Sequence, residues 1–274
     1  MLVERPTGIH LDVSHGEYHR RVLGVASNSA LAQVERSPAH YVAWVNGEAN
    51  DEETEALAFG TAFHMALLEA ERFARVYTVA PDFGDCRFKE NKAKREEWRA
   101  ANAGKAELDL GTSTAIEKMV RAVHAHPLAS KLLEGGQSEV TATWTDDETG
   151  VRCKVRADRY KAANRLIVDV KTARDASPKG FKKAVFNHGY HRQNALYRAG
   201  FAAAGAPVEH YILLAVEKTA PFAIGIYQLD AQAIAIGHTR VRDGLALLAE
   251  CLREDRWPAY SDRIETIEPP PWAA

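Results

Sequence analysis

Polar and apolar positions alternate most clearly between residues 138 and 172. "SEVTATWT" (138–145) alternates, "DDETG" (146–150) has turn composition, and "VRCKVRADRY" (151–160) alternates again. "KAAN" (161–164) is a second turn and "RLIVDVKT" (165–172) a third strand, so the segment predicts a three-stranded meander. Upstream the apolar period is helical. Ser27 or Asn28 caps a short helix through Glu35, and Ser37-Pro38 opens a second that Gly47 closes. Leu57, Phe59, Phe63, Ala66 and Leu67 give a helix from about Thr54 to Glu69 its apolar face, and a further helix is predicted over 113–133. Downstream, helices over 178–187 and 190–204 precede a strand pair, "HYILLAVEK" and "FAIGIYQLD", and a long helix spans 231–253. The first 27 residues read as irregular, and the proline-rich tail from Trp257 reads as a surface wrap.

Composition narrows the class. At 274 residues, 46% hydrophobic and 26% charged, the chain has the make-up of a soluble globular protein with a sizeable core. No apolar run reaches membrane length and no signal-peptide pattern opens the chain, so a cytoplasmic protein is expected, with no membrane partner. One domain over 1–274 is expected, with a helical N-terminal part (about 28–133), a core sheet with the motifs (about 138–230), and a C-terminal helix and tail (231–274). Cys86, Cys153 and Cys251 are odd in number and far apart, which argues against a disulfide framework and a zinc or iron–sulfur site. The net charge of −2 announces no nucleic-acid binder, and no GxxxxGK[ST] loop is present. The charge-rich stretch 85–105 reads as a solvated connection with a helical part, or as an arm that contacts DNA.

The candidate chemistry starts at "IVDVKT". Asp169 and Lys171 are two apart, so on a strand they share a face. Alone, such a pair fits a half-exposed strand as well as a site. Asp158 adds to it: it lies near the end of the preceding strand, with a short turn between. Two carboxylates converging beside a lysine suit a hard cation that prefers oxygen ligands and keeps several waters. His64, on the predicted helix one turn after Gly60, is either a third ligand or an ordinary histidine of an amphipathic helix. Glu139 opens the first strand and could join the acidic cluster, or stay a surface residue. Gln193 and Tyr197, four apart, share a helix face.

Taken in order, these residues resemble the PD-(D/E)XK nuclease superfamily, and specifically its RecE-type exonuclease VIII branch. "SNSALAQVERSPAHYVAWVNG", "LAFGTAFHMALLE", "IVDVKTARDASPKGF" and "YHRQNALY" carry the likeness over most of the chain. The resemblance implies an α/β fold: a restriction-endonuclease-like core with a mixed central β-sheet flanked by helices. It implies a Mg²⁺-dependent exonuclease, with Mn²⁺ as a substitute, degrading duplex DNA from its ends 5′ to 3′ and leaving 3′ single strands. His64, Asp158, Asp169 and the carbonyl of Val170 match the metal ligands. Lys171 would act with the attacking water, and Gln193, Tyr197 and Glu139 complete the catalytic set. Ser29, Arg36 and Ser37, near two helix N-termini, are candidates for the 5′-phosphate. A homo-oligomeric ring and a single-strand annealing recombinase are the implied partners. The chain departs from the family at Asp169, where many relatives have Glu, and at Ala173, where many have Thr. The rival expectations are an endonuclease of the same fold, separated by its action on closed circles, and a catalytically silent DNA-end-binding protein.

Overall fold

Two tight turns fold residues 137–173 into the centre of the sheet. At the first, Asp146 Oδ1 accepts from the Thr149 amide (3.0 Å) and hydroxyl (2.6 Å), and Gly150 takes the left-handed conformation that closes the turn. The computed structural model describes residues 2–48 and 55–269. Its strands are β1 (Gly8–His10), β2 (Val25–Ala26), β3 (Tyr77–Val79), β4 (Ala106–Leu108), β5 (Gln137–Thr145), β6 (Arg152–Lys161), β7 (Leu166–Ala173), β8 (His210–Glu217) and β9 (Ile224–Gln228). Its helices are α1 (His15–His19), α2 (Asn28–Arg36), α3 (Pro38–Val45), α4 (Glu55–Leu68), α5 (Ala70–Val76), α6 (Lys89–Ala101), α7 (Leu110–Ala125), α8 (Pro127–Leu133), α9 (Pro178–Asn187), α10 (Tyr190–Ala203) and α11 (Ala231–Glu254).

The main sheet is mixed, in the order β1-β5-β6-β7-β8-β9, with β2 parallel beside β6. The meander pairs antiparallel, whereas β7 and β8 run parallel and need the crossover that α9 and α10 supply. Helices cover both faces. On one, Leu31, Phe181, Leu196, Phe201 and Leu245 pack against Ala142, Val155, Ile167 and Leu213. On the other, Phe63, Ile116, Met119 and Val123 pack against Val168, Val170 and Leu214. Leu213 and Leu214 are both fully buried on opposite faces, so truncating either to Ala costs about 2–5 kcal/mol.

Where β6 and β7 meet, the sheet splits. Their pairing spans only Arg159–Lys161 against Leu166–Val168. β5 already occupies one edge of β6 along its length, so β2 lies on the edge that β7 leaves. Asp158 and Asp169 stand at the next step of the register, where the strands part.

The structure differs from the sequence expectations in several places. The helix expected over 113–133 is two, α7 and α8, because Pro127 has no amide to continue α7 and holds His126 extended. The N-terminal 27 residues are not irregular; they contribute β1, α1 and β2. The charged segment 85–105 contains α6, which buries no residue, between the parallel strands β3 and β4. Among the described residues the tail is fastened near its start: Pro258 O accepts from the Ala39 amide (3.0 Å) and Trp257 lies against Tyr41. Thr54 and the end of the tail from 270 lie outside the described residues. Among the described residues no helix is long and apolar enough to cross a membrane.

Candidate active site

Asp158, near the end of β6, turns its carboxylate into the split, and Oδ2 accepts the Val170 amide at 2.7 Å. That amide is one the ladder leaves unpaired where the strands diverge, so the hydrogen bond both ends the pairing and fixes the carboxylate. Asp169, in mid-β7, is only 1% exposed. Its Oδ1 accepts from Gln193 Nε2 at 2.8 Å, and its Oδ2 lies 2.7 Å from Lys171 Nζ. Tyr197, also buried, stands one turn further along the same face of α10. From the opposite helical layer, α4 brings His64 Nδ1 to 3.6 Å from Asp158 Oδ2.

Burial sets the charge states. It pushes Asp169 up to about 6, against the pull of the Lys171 ammonium. Asp158 is also raised by burial, with Lys171 and the Val170 amide opposing. Burial alone would lower Lys171, but the charges of Asp169 and Asp158 outweigh it and hold the ammonium protonated. Its Nζ also lies 4.8 Å from the centre of the Tyr190 ring. Burial, then the nearby Lys171, lowers His64 to about 4, so the imidazole is neutral and able to ligate.

Glu139 stands across β5 from Asp158, between the paired residues Ser138–Arg159 and Val140–Ala157. It has φ +56°, a left-handed conformation unusual for a non-glycine residue inside a strand. Its carboxylate lies 3.5 Å from the buried Arg156 guanidinium. Burial and the facing Asp158 push it up to about 7.

These donors fit a hard divalent cation. Asp169 Oδ2 is buried and close to Lys171 Nζ, but the approach is too poorly directed for a hydrogen bond, so its lone pairs are available. Among the described residues no three His, Cys, Asp or Glu side chains form a closed ligand set. Two carboxylates, one neutral imidazole and a carbonyl make an open site of the kind Mg²⁺ takes while keeping waters.

Beside this cluster lies a cavity of about 210 Å³. Tyr18 to Val22 wall one side, Ser27 to Ser29 at the start of α2 the other, and Lys154, Gln193 and Tyr197 also face it. Ser29 thus sits at the cavity. Arg36 and Ser37 do not: Arg36 is exposed at the far end of α2, and Ser37 is buried, spending its hydroxyl on the cap of α3 and on His40 (2.6 Å). A Cβ at Gly60 would meet only Thr172 Oγ1 at an ordinary 3.7 Å, so the glycine there is not needed to make room for His64.

Sequence reading missed Tyr18, Lys154, Arg156 and Tyr211. Lys154 and Arg156 share the face of β6 that carries Asp158, and that alternation was the available signal. Their partners were not readable. Lys154 Nζ donates to the carbonyls of Tyr18 and Arg20, and Arg156 donates to those of Val13 and Ser14. Tyr211 buries its hydroxyl against Asp169 from β8.

No curated protein matches the chain in sequence. A Eubacterium rectale protein described as a "Putative exonuclease" has a similar fold, with a TM-score of 0.53 at 14% identity over 93% of this chain and 94% of that one. The family model for a PDDEXK-like domain of unknown function matches residues 27–270, in keeping with the mixed sheet and its helical flanks; the chain belongs to that family of PDDEXK-like domains.

Proposed function

We propose that this protein is a Mg²⁺-dependent exonuclease of the RecE-type exonuclease VIII branch, digesting duplex DNA 5′ to 3′ to leave 3′ single strands. The observation that carries this is the convergence of Asp158, Asp169, Lys171, His64 and Gln193 at the split between β6 and β7. Asp158, Asp169, His64 and the Val170 carbonyl would hold Mg²⁺, or Mn²⁺ in its place. The bound cation supplies charge neutralisation at phosphorus and lowers the pKa of water. Gln193 keeps Asp169 from rotating. The Lys171 ammonium orients the attacking water and stabilises the negative charge that develops on the phosphoryl oxygens. Water adds to phosphorus, the P–O3′ bond breaks, and the leaving 3′-oxygen takes a proton.

The adjacent cavity suits the strand end. The amides at the start of α2, Ser29, the arginines at 20 and 21, and Lys154 offer a 5′-phosphate positive charge and donors. Arg36 and Ser37 are dropped from that role, being turned away from the cavity. A ring of several copies in the cytoplasm, working with a single-strand annealing recombinase, follows from the same reading. An endonuclease of this fold would have less use for a cavity walled by residues 18–22, which suits a terminus better than a continuing strand.

The test is nucleotide release from linear duplex DNA with and without Mg²⁺, beside an equal mass of supercoiled plasmid. Digestion of the linear form alone, abolished in Asp158→Ala, Asp169→Ala and Lys171→Ala, is the expected result. Equal attack on the circle would favour an endonuclease. Full activity of any folded variant would remove that residue from the site.

A further inference from the structure

One face of α10 meets both members of the Asp-x-Lys pair. Tyr190 is the first residue of the helix and Gln193 stands three residues on, so their side chains share a face. Gln193 holds Asp169 Oδ1 at 2.8 Å. Tyr190 turns its ring to the other member, with Lys171 Nζ 4.8 Å from the ring centre. The ring is itself held. Gly189, in the left-handed conformation (φ +67°), makes the turn out of α9 that starts α10 at Tyr190. Phe181, which is buried and stacks on Tyr227 at 5.0 Å, lies 6.0 Å from the Tyr190 ring, and the His188 ring lies 5.6 Å away.

The ring contact matters because the other hold on Lys171 weakens where it is most needed. Nζ lies 2.7 Å from Asp169 Oδ2, but that oxygen receives no directed hydrogen bond, so charge alone keeps the ammonium there. A lysine is a point charge on a flexible four-carbon stem. A divalent cation held by Asp158 and Asp169 would neutralise the carboxylates that attract the ammonium, and would repel it in turn. The face of an aromatic ring is not a ligand that a hard cation takes, and its negative quadrupole goes on attracting the ammonium. The Lys171 side chain is only 15% exposed, so this contact is largely desolvated, where cation–π attraction is strongest.

We propose that Tyr190 is a positioning residue for Lys171, its ring face keeping the ammonium at the site when a metal occupies the carboxylates. Its purpose rests on the nuclease reading; the contact between ring and ammonium does not. One helix then sets both members of the pair, the carboxylate through the Gln193 amide and the ammonium through the Tyr190 ring. A shift of α10 would displace the two together. A plainer role is available to Tyr190, as a ring that only fills the corner between α9 and α10 against Phe181. The two roles separate by chemistry, since filling a corner asks for apolar bulk and holding a cation asks for an aromatic face.

The test uses the full chain and two variants: Tyr190→Leu, which keeps apolar bulk, and Tyr190→Phe, which keeps the ring. Lysine labelled with ¹³C at Cε is incorporated, and the Lys171 signal is identified by its loss in Lys171→Arg. In the wild type and in Tyr190→Phe the ring current should move the Lys171 Cε protons upfield, both without metal and at saturating Mg²⁺. In Tyr190→Leu that upfield shift should be gone. On linear duplex DNA, kcat of Tyr190→Leu should fall about three- to thirtyfold, the span of a cation–π contact from exposed to desolvated, with KM and melting temperature unchanged. Tyr190→Phe should recover most of that loss. An unshifted Lys171 signal in the Mg²⁺-saturated wild type, full kcat in Tyr190→Leu, or a Tyr190→Phe as slow as Tyr190→Leu would overturn the proposal. If Tyr190→Leu does not fold, the wild-type signal at saturating Mg²⁺ decides alone. Should the wild type release no nucleotides from DNA, the nuclease reading fails by itself, and the Lys171 signal still decides whether Tyr190 holds the ammonium.

Discussion

Lys154 is a lysine kept inside the protein with no carboxylate partner among the described residues, and replacing it by methionine should change how stability depends on pH. Its side chain is nearly buried, and burial pushes its pKa from 10.5 down to about 8. The unfolded chain therefore binds more protons than the folded one between pH 8 and 10.5, and in that window stability must rise with pH. At pH 7 the ammonium is present in both states and the burial penalty is nearly full, about 3 kcal/mol for a shift of this size. At pH 9.5 the folded lysine is neutral while the unfolded one is still mostly charged, and the penalty drops to about 1 kcal/mol. The wild type should thus gain about 2 kcal/mol relative to Lys154→Met between pH 7 and pH 9.5. The Tyr18 and Arg20 carbonyls favour the ammonium, so the measured gain should fall somewhat short of that figure. Urea unfolding of both proteins in EDTA, at half-unit steps of pH, reads the difference directly. A wild-type-minus-variant difference that is flat across the window, or that falls with pH, would refute the account of Lys154 as a charge held at a cost.

Three other substitutions probe separate parts of the site. Gln193→Leu leaves the buried Asp169 Oδ1 without its donor and should destabilise the metal-free protein by about 1–3 kcal/mol while lowering Mn²⁺ affinity at least tenfold; calorimetric titration checks it. Glu139→Gln should cut nucleotide release about tenfold or more yet raise the melting temperature of the metal-free protein at pH 8. Its carboxyl is raised to about 7, so the stability it contributes is complete below about pH 4.5 and lost as pH rises through 7, whereas Gln stays neutral throughout. In Gly237→Ala the new Cβ would meet the His191 carbonyl oxygen at 2.1 Å, and backbone cannot step aside. That variant should lose about 1–3 kcal/mol or more, and some activity as well, because α11 would push on the turn of α10 that carries Gln193; an unchanged melting temperature would contradict it.

What was legible in the sequence was whatever a single element could display. Asp169 and Lys171 stand out because a strand's period of two puts them on one face of an otherwise apolar run. Gln193 and Tyr197 stand out because a helix brings i and i+4 together. The meander, the two helices after it and the final strand pair follow from segment lengths and turn residues, whereas the parallel pairing of β8 with β7 does not. The short pairings β1–β5, β2–β6 and β3–β4 were not legible, since two or three residues carry no period. Ser37 shows the opposite error. Its position at a helix start was read well, but a hydroxyl that caps its own helix and bonds His40 has nothing left for a ligand.

The near-zero net charge is uninformative about the site for a physical reason as well. Counting charges treats every cation as a surface cation. In this fold Lys154, Arg156 and Arg192 are all buried, and their partners are mostly inside the protein. Arg192 binds Glu35 and Asn28, fastening α2 to α10, while Lys154 and Arg156 clamp main-chain carbonyls of residues 13–20. A carbonyl is neutral, so it satisfies the donors of a cation without cancelling its charge. The positive field of Lys154 is therefore not quenched where it meets the cavity beside Asp169, even though the chain as a whole is slightly acidic. The same arrangement explains why the N-terminal segment cannot be a detachable arm. Without it, two buried cations would lose their hydrogen bonds together, each a loss of about 1–3 kcal/mol or more. Stability and the wall of the cavity beside the site thus depend on the same stretch of chain.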